Sequence, residues 1–191
     1  RNRYVITPRF AISCSTEQLI AAGRLHEQYP GTYIQTHLSE NKDEIDSTLS
    51  LCPDCQDYLE VYERARLVTD RSIFGHCIHL SDSECRRLVE AGSVVAHCPT
   101  SNLFLGSGLF DMQQANRVGM QTVLATDIGA GTSFSMLRTM GEAYKVQQLG
   151  GYPMSVFESL YKCTLGAAKA LHLDDEIGCF GKGRKADFIV M

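Results

Sequence analysis

Short apolar runs alternate along this chain with segments of helical periodicity. The apolar runs are typical of strands and cover residues 4–10, 32–38, 72–78, 93–99 and 121–127. The intervening segments carry apolar residues at helical spacing, and capping-box patterns begin three of them, at Ser15, Asn41 and Ser81. Strands that alternate with helices in this way predict an α/β fold with a parallel sheet and right-handed crossovers.

The second half of the chain continues this alternation. A polar turn at residues 100–102 and a glycine-rich loop at residues 106–108 follow the fourth run, and a short helix is predicted over residues 109–118. After the fifth run, helices are expected beyond residue 132 and over residues 154–171. The first of these two places four apolar residues on one face, and we expect that face to pack in the core: Phe134, Leu137, Met140 and Tyr144.

About five strand–helix units can be counted, whereas a closed (β/α)₈ barrel contains eight and typically takes ~250 residues. The chain is therefore either an open sheet or the later part of a TIM-like barrel. We expect the second, because Arg1 is not an initiator methionine and a strand follows almost at once. Residues 1–173 are predicted to form this partial barrel. Residues 174–191 are glycine-punctuated and predict a C-terminal segment leading into a small β-sheet.

Composition narrows the possible partners. The 191 residues are 44% hydrophobic and 21% charged, with a formal net charge of −4. No basic footprint for nucleic acid is present, and no apolar stretch approaches the ~20 residues of a membrane helix. We therefore expect a cytoplasmic protein that binds a small polar ligand, without a nucleic-acid or membrane partner.

The eight cysteines do not indicate a disulfide framework, because the chain is too large to resemble a small stapled domain. Cys77 and Cys98 fall in apolar runs and are expected to be buried. Cys52 and Cys55 have the spacing of a metal or redox pair, but no second pair accompanies them. Their role stays open.

Residues capable of metal chemistry stand at the ends of three apolar runs. His37 ends one run and Glu40 follows it, while His76 and Asp127 end two others. Imidazole and carboxylate are natural ligands of a catalytic zinc, and a carboxylate outside the ligand set can carry protons. The carboxyl ends of parallel strands meet at one face, so these residues predict a common site. His79 precedes a capped helix and is expected to have a loop or cap role, and His97 is a weaker candidate for orienting a neighbouring site residue or loop.

Six motifs in order resemble one enzyme family. They are Arg9-Phe10 and the segments at residues 36–40, 75–76, 96–102, 125–127 and 183–187. Together they resemble the C-terminal portion of the guanine deaminase branch of the amidohydrolase superfamily, most closely its bacterial members. The resemblance implies hydrolysis of guanine to xanthine and ammonia in purine catabolism, with one Zn²⁺ per subunit and a homodimeric assembly. Iron suits the same nitrogen and oxygen ligands.

The resemblance also implies a role for each matched residue. His37 and Asp127 would bind the metal, and His76 would hold the hydrolytic water or act as an additional ligand. Zinc-bound hydroxide would attack the purine while Glu40 shuttles a proton, with Asp127 taking a proton from the water. The substrate contacts would come from the Arg9 guanidinium, the Phe10 ring, the segment that comprises His37, Leu38, Ser39 and Glu40, and Asp127.

One expected element of this family does not occur in these residues. The family carries a His-x-His segment that supplies two more ligands, so this chain by itself is expected to bind metal weakly, and its isolated activity is open. Two other interpretations also stay open. One is a different amidohydrolase, such as an adenosine-type deaminase or a chlorohydrolase, and the other is a non-catalytic assembly module.

Overall fold

The computed structural model describes residues 2–190. Arg1, the first residue of the predicted partial barrel, and Met191, the last residue of the predicted C-terminal segment, lie outside the described part. Within residues 2–190, five strands alternate with α-helices. The strands are β1 (Val5–Ile6), β2 (Tyr33–Leu38), β3 (Ser72–His76), β4 (Val94–His97) and β5 (Gln121–Leu124).

Most of the helices lie where the apolar periodicity and the caps predict them. In chain order they are α1 (Thr16–Gln28), α2 (Lys42–Leu51), α3 (Tyr58–Arg64), α4 (Asp82–Glu90), α5 (Pro99–Leu105), α6 (Met112–Val118), α7 (Met136–Leu149), α8 (Val156–Cys163) and α9 (Leu165–Ala170). The capping boxes at Asn41 and Ser81 are both formed. Ser15 also caps α1, accepting from the backbone N–H of Gln18.

The five strands form one sheet in the order β1-β2-β3-β4-β5, and every pairing is parallel. Neighbours in sequence are therefore neighbours in space, as the alternating pattern predicts. The α/β architecture with a parallel sheet is confirmed. All five strands consequently end at the same edge of the sheet, where their carboxyl ends can share a site.

The two faces of the sheet differ in residue type. One row across it joins His37, Gly75, Ala96 and Val123. Residues of the opposite face pack with the helices in the hydrophobic core, which we call the core layer; it includes Ile34, Leu38, Phe74, Val95 and Leu124 from the sheet, and Leu59, Tyr62, Leu88 and Met112 from the helices. Because side chains alternate between the two faces along a strand, the His37 imidazole lies on the face of β2 opposite the core layer.

Helix α5 replaces the polar turn expected at residues 100–102. Pro99 occupies its first turn, where the missing N–H costs no hydrogen bond, and Gly106 ends it in the left-handed conformation with φ 70°. The expected strand at residues 4–10 shortens to Val5–Ile6, because Pro8 has no N–H for the ladder. The helix expected over residues 154–171 divides at Thr164 into α8 and α9.

The expected inner face of the helix after residue 132 was wrong for three of its four residues, and only Met140 is partly buried against the core. Phe134 is 81% exposed, and Leu137 and Tyr144 are about half exposed. The buried face instead carries Thr139, Ala143, Val146 and Gln147. Gln147 tolerates burial because its side chain donates to the Phe110 carbonyl and accepts from the Met112 N–H. Satisfied polar groups can thus occupy the buried side of a helix while apolar side chains such as Leu137 and Tyr144 lie exposed on its other side.

Residues 174–190 form turns and irregular structure, without a strand among them. The small β-sheet and the division at residue 173 stay predictions. Within the described residues, none of the helices has the length and apolar character needed to cross a bilayer.

Candidate active site

Three of the predicted ligands meet at the carboxyl end of the sheet. His37 lies in β2, His76 ends β3, and Asp127 follows β5 by three residues. One potential ligand atom from each lies within 4.8 Å of the other two. We call the end of the sheet formed by His37, Glu40, His76 and Asp127 the mouth. Its donors are nitrogen and oxygen, the types that zinc and iron both accept.

Backbone conformation brings His76 into this group. His76 is the register partner of Leu38, whose side chain lies in the core layer. A regular strand would place both on that face, but His76 has φ 69°, and its ring instead stacks on that of His37 with centroids 5.1 Å apart. Asp127 also has a left-handed φ, 47°. Such conformations cost ~1–3 kcal/mol each and concentrate at functional sites.

His37 is oriented by two contacts from outside the ligand group. Its ring Nδ1–H donates to the Arg9 carbonyl oxygen at 2.6 Å, and the buried Tyr62 hydroxyl donates to its backbone carbonyl at 2.8 Å. Burial raises the pKa of Tyr62 to about 12, so this hydroxyl keeps its proton at neutral pH. With Nδ1 engaged, Nε2 is the His37 atom that can bind a metal.

Glu40 is held at the mouth by the start of α2. Its backbone N–H donates to a carboxylate oxygen of buried Glu44 at 2.9 Å, and Glu44 also accepts from the Tyr58 hydroxyl at 2.8 Å. The Glu40 carboxylate accepts a hydrogen bond from Ser107 at 3.1 Å and lies 3.7 Å from His76 Nδ1. A fixed, partly buried carboxylate beside an imidazole is suited to proton transfer.

His76 is buried and contacts polar groups through both ring nitrogens. Nδ1 lies 2.8 Å from Asn102 Oδ1, and Nε2 lies 3.9 Å from an Asp127 carboxylate oxygen. Asn102 and Ser107 were absent from the candidates predicted by sequence. The missed helix α5 carries the first and its C-terminal turn leads to the second, and the Pro99 and Gly106 signals could have located it.

The predicted substrate residues are placed differently from one another. The Phe10 ring lies 5.7 Å from the His37 ring, and the exposed Arg9 guanidinium stands 5.1 Å over Phe10. Ser39 lies at the end of β2 with φ 49°, and its hydroxyl is buried without a hydrogen-bond partner among residues 2–190. The Leu38 side chain is not brought to the mouth, because alternation after His37 turns it into the core layer.

An open cleft borders the mouth. It has a volume of about 570 Å³, and Glu40, Lys42, His79 and Ser107 are among the residues that line it. A cleft of this size is typical of small-molecule sites. The side chains lining it supply acidic, basic and hydroxyl groups, consistent with a polar ligand.

The remaining candidates lie outside this group. His97 ends β4, but its ring stacks on Phe110 of the core layer with centroids 4.8 Å apart. Cys77 and Cys98 are buried as expected, and burial raises the pKa of the Cys98 thiol to about 12. Cys52 and Cys55 are free, half-buried thiols packed against the core, and the metal-ligand group found within residues 2–190 does not include them.

Comparison with known proteins gives consistent matches. A family model described as the amidohydrolase family matches residues 2–191. The guanine deaminase of Escherichia coli strain K12 is 53% identical over 188 residues, which are 98% of this chain and 43% of that protein. A solved structure of E. coli guanine deaminase aligns with a TM-score of 0.97 and covers 99% of this chain and 44% of its own.

Two further solved structures carry ligands. Guanine deaminase from C. acetobutylicum with bound guanine in the active site is 34% identical, with a TM-score of 0.87 over 94% of this chain and 44% of its own. An adenosine deaminase from Xanthomonas campestris with bound zinc is 26% identical, with a TM-score of 0.87 over 95% of this chain and 42% of its own. The chain thus spans less than half the length of these relatives.

Proposed function

Because the chain belongs to the amidohydrolase family, we propose that the protein containing it uses zinc to hydrolyse guanine to xanthine and ammonia in purine catabolism. The observation that carries the proposal is the 53% identity to E. coli guanine deaminase over 98% of this chain. The cluster of His37, His76 and Asp127 supports it with a donor set that fits a catalytic metal.

His37, through Nε2, and the Asp127 carboxylate would hold the metal, with His76 beside them. Zinc, when bound, supplies a Lewis acid that lowers the pKa of water to about 7. The fit rests on the hydrogen bond from His37 Nδ1–H to the Arg9 carbonyl. With the proton on Nδ1, the lone pair of Nε2 is free to bind a metal. Iron is the alternative metal for these ligands.

The proton transfers fall to residues of this chain. Asp127 accepts a proton from the attacking water, which His76 orients, and Glu40 delivers a proton to the ring nitrogen beside the amino-bearing carbon. The carbon becomes tetrahedral, the proton held by Asp127 passes to the amino nitrogen, and the C–N bond breaks to release ammonia. The hydroxyl on that carbon returns a proton to Glu40, and the oxygen from water stays as the xanthine carbonyl. The distance of 3.7 Å between Glu40 and His76 Nδ1 supports assigning both to one site.

Recognition of guanine would use Arg9 and Phe10. The exposed Arg9 guanidinium can donate to the carbonyl oxygen of the base, and the Phe10 ring, next to His37, offers an apolar surface to the purine. Ser39 and the backbone of Leu38 would complete the pocket wall. A homodimer in the cytoplasm stays a prediction.

The test is an assay of the protein expressed from its complete reading frame. Zinc and iron are measured by elemental analysis, and the protein is then given guanine, adenosine and a chlorotriazine in separate reactions. We expect one metal ion per subunit, with ammonia and xanthine produced from guanine only. Metal without guanine turnover would favour another amidohydrolase activity, and the absence of both metal and turnover would favour an assembly module.

A further inference from the structure

Helix α5 and the turn after it contact two of the three groups proposed to handle protons or water at the mouth, His76 and Glu40. Asn102 Oδ1 lies 2.8 Å from His76 Nδ1, and the Ser107 hydroxyl donates to the Glu40 carboxylate at 3.1 Å. Both contacting residues are buried, Asn102 being 1% exposed and Ser107 7% exposed. Neither is a candidate metal ligand.

Asn102 is held in place by its own backbone. Its N–H donates to the Cys98 carbonyl at 2.9 Å, and its carbonyl accepts from the Ser107 N–H at 2.9 Å. The second of these bonds joins the two side chains of interest into one rigid segment. Gly106, with φ 70°, allows the chain to turn sharply enough for that bond to form.

Ser107 is fixed from a second direction. The His79 ring Nε2–H donates to the Ser107 carbonyl at 2.9 Å, and the segment after β3 is thereby tied to the turn after α5. The Ser107 hydroxyl is left to donate to Glu40, whose backbone is already held by Glu44. The Glu40 carboxylate is thus constrained from both ends of its side chain.

We propose that Asn102 and Ser107 are positioning residues, with Asn102 holding His76 as the tautomer protonated on Nδ1 and Ser107 holding the Glu40 carboxylate toward His76. Because Asn102 Oδ1 can only accept, the imidazole donates through Nδ1 and presents the Nε2 lone pair on the Asp127 side. An amide turned the other way would hold the opposite tautomer, whose Nε2–H could not accept a proton or ligate. The kinetic consequences rest on the proposed function, whereas the tautomer does not.

The direct test is ¹⁵N NMR of histidine-labelled protein from the complete reading frame, before and after metal removal by a chelator. Chelation matters because a metal on Nε2 would impose the tautomer by itself. The His76 signals are assigned by their loss in His76→Gln. We expect protonation on Nδ1 in the wild type and in Asn102→Asp, which keeps the acceptor, and a tautomer mixture in Asn102→Ala.

The kinetic test separates positioning from a general structural role. Loss of a group that orients an active-site histidine typically costs ~10–100-fold in activity or metal affinity. We expect kcat of Asn102→Ala to fall within that range with KM little changed, and Asn102→Asp to recover most of it. Ser107→Ala should lower kcat ~10-fold, because a hydrogen bond to a charged carboxylate is lost.

Two buried residues away from the mouth provide matched controls. Gln147→Ala removes a buried amide bonded to Phe110 and Met112, and Ser93→Ala removes a buried hydroxyl that donates to the Thr69 carbonyl at the far end of β4. Neither should change kcat or the His76 signals.

An Nε2-protonated wild-type tautomer, an unchanged His76 spectrum in chelated Asn102→Ala, or equal kcat losses in the controls would overturn the proposal. If guanine is not turned over at all, the proposed function fails, and the NMR result still decides the tautomer.

Discussion

His76 and His97 end neighbouring strands, and both are almost fully buried, yet they lie in opposite environments. His76 faces the mouth, with Asn102, Glu40 and Asp127 around its two nitrogens. His97 faces the core layer, where its ring stacks on Phe110, and neither nitrogen has a hydrogen-bond partner within residues 2–190. Burial, and then the nearby His76 and Lys162, lower the pKa of His97 to about 3.

The difference arises from one backbone angle. His76 has φ 69°, and this conformation turns its ring away from the face of its register partner Leu38. His97 is paired in regular register with Leu124 and shares its place in the core layer. Of these two histidines at strand ends, only the one that the backbone turns toward the mouth is therefore a site residue.

The largest expected effect comes from the mouth, in Glu40→Gln. The amide cannot carry the proton, so we expect kcat for guanine to fall by ~10²–10⁴-fold or beyond detection, while the metal content stays at the wild-type value. Steady-state kinetics and elemental analysis measure the two quantities. Glu27→Gln, at an exposed glutamate, serves as the control. Wild-type turnover by Glu40→Gln would remove Glu40 from the mechanism.

Arg9→Ala tests whether the rim of the mouth recognises the base. Removing a charged donor costs ~1.5–3 kcal/mol of binding, so we expect KM for guanine to rise ~10–100-fold with the metal retained. The matched control is Arg66→Ala, since Arg66 is a surface residue paired with Glu27. Unchanged kinetics in Arg9→Ala would favour a different amidohydrolase substrate.

The core layer should respond to pH through His97. Its folded-state pKa of about 3 lies below the ordinary value of ~6.5, so between these pH values the unfolded chain binds a proton that the folded chain does not. Stability from this residue is complete above pH 6.5 and decreases as pH falls, by about 2 kcal/mol at pH 5. Urea unfolding at pH 7.5 and pH 5 measures the loss.

His97→Leu should be the mildest change and the sharpest contrast with the mouth. It removes a buried polar group without a partner, so we expect the free energy of unfolding at pH 7.5 to rise by about 1 kcal/mol and kcat to stay at the wild-type value. The same variant should show a smaller loss of stability at pH 5 than the wild type. A large fall in kcat would show that the two environments are not separate.

Much of the fold followed from local pattern. The parallel sheet, the capped helices α1, α2 and α4, and the gathering of His37, His76 and Asp127 were all expected from periodicity and from the common edge of parallel strands. The inner face of α7 and the existence of α5 were not. Partners distant in sequence decide the first, since Gln147 becomes a buried residue by bonding Phe110 and Met112, whereas Pro99 and Gly106 mark α5 locally.

The sequence alone determined which chemical groups lie at the carboxyl edge of the sheet, because each strand and the residues at its end can be identified from the local sequence. Only the tertiary structure decided which of them face one another. The left-handed turn at His76, the carbonyl of Arg9 on His37, and the contacts of Asn102 and Ser107 all join segments separated by 26 or more residues or depend on a single dihedral angle. Hydrophobic periodicity contains neither kind of information, because it reports burial and not the direction of individual donors and acceptors.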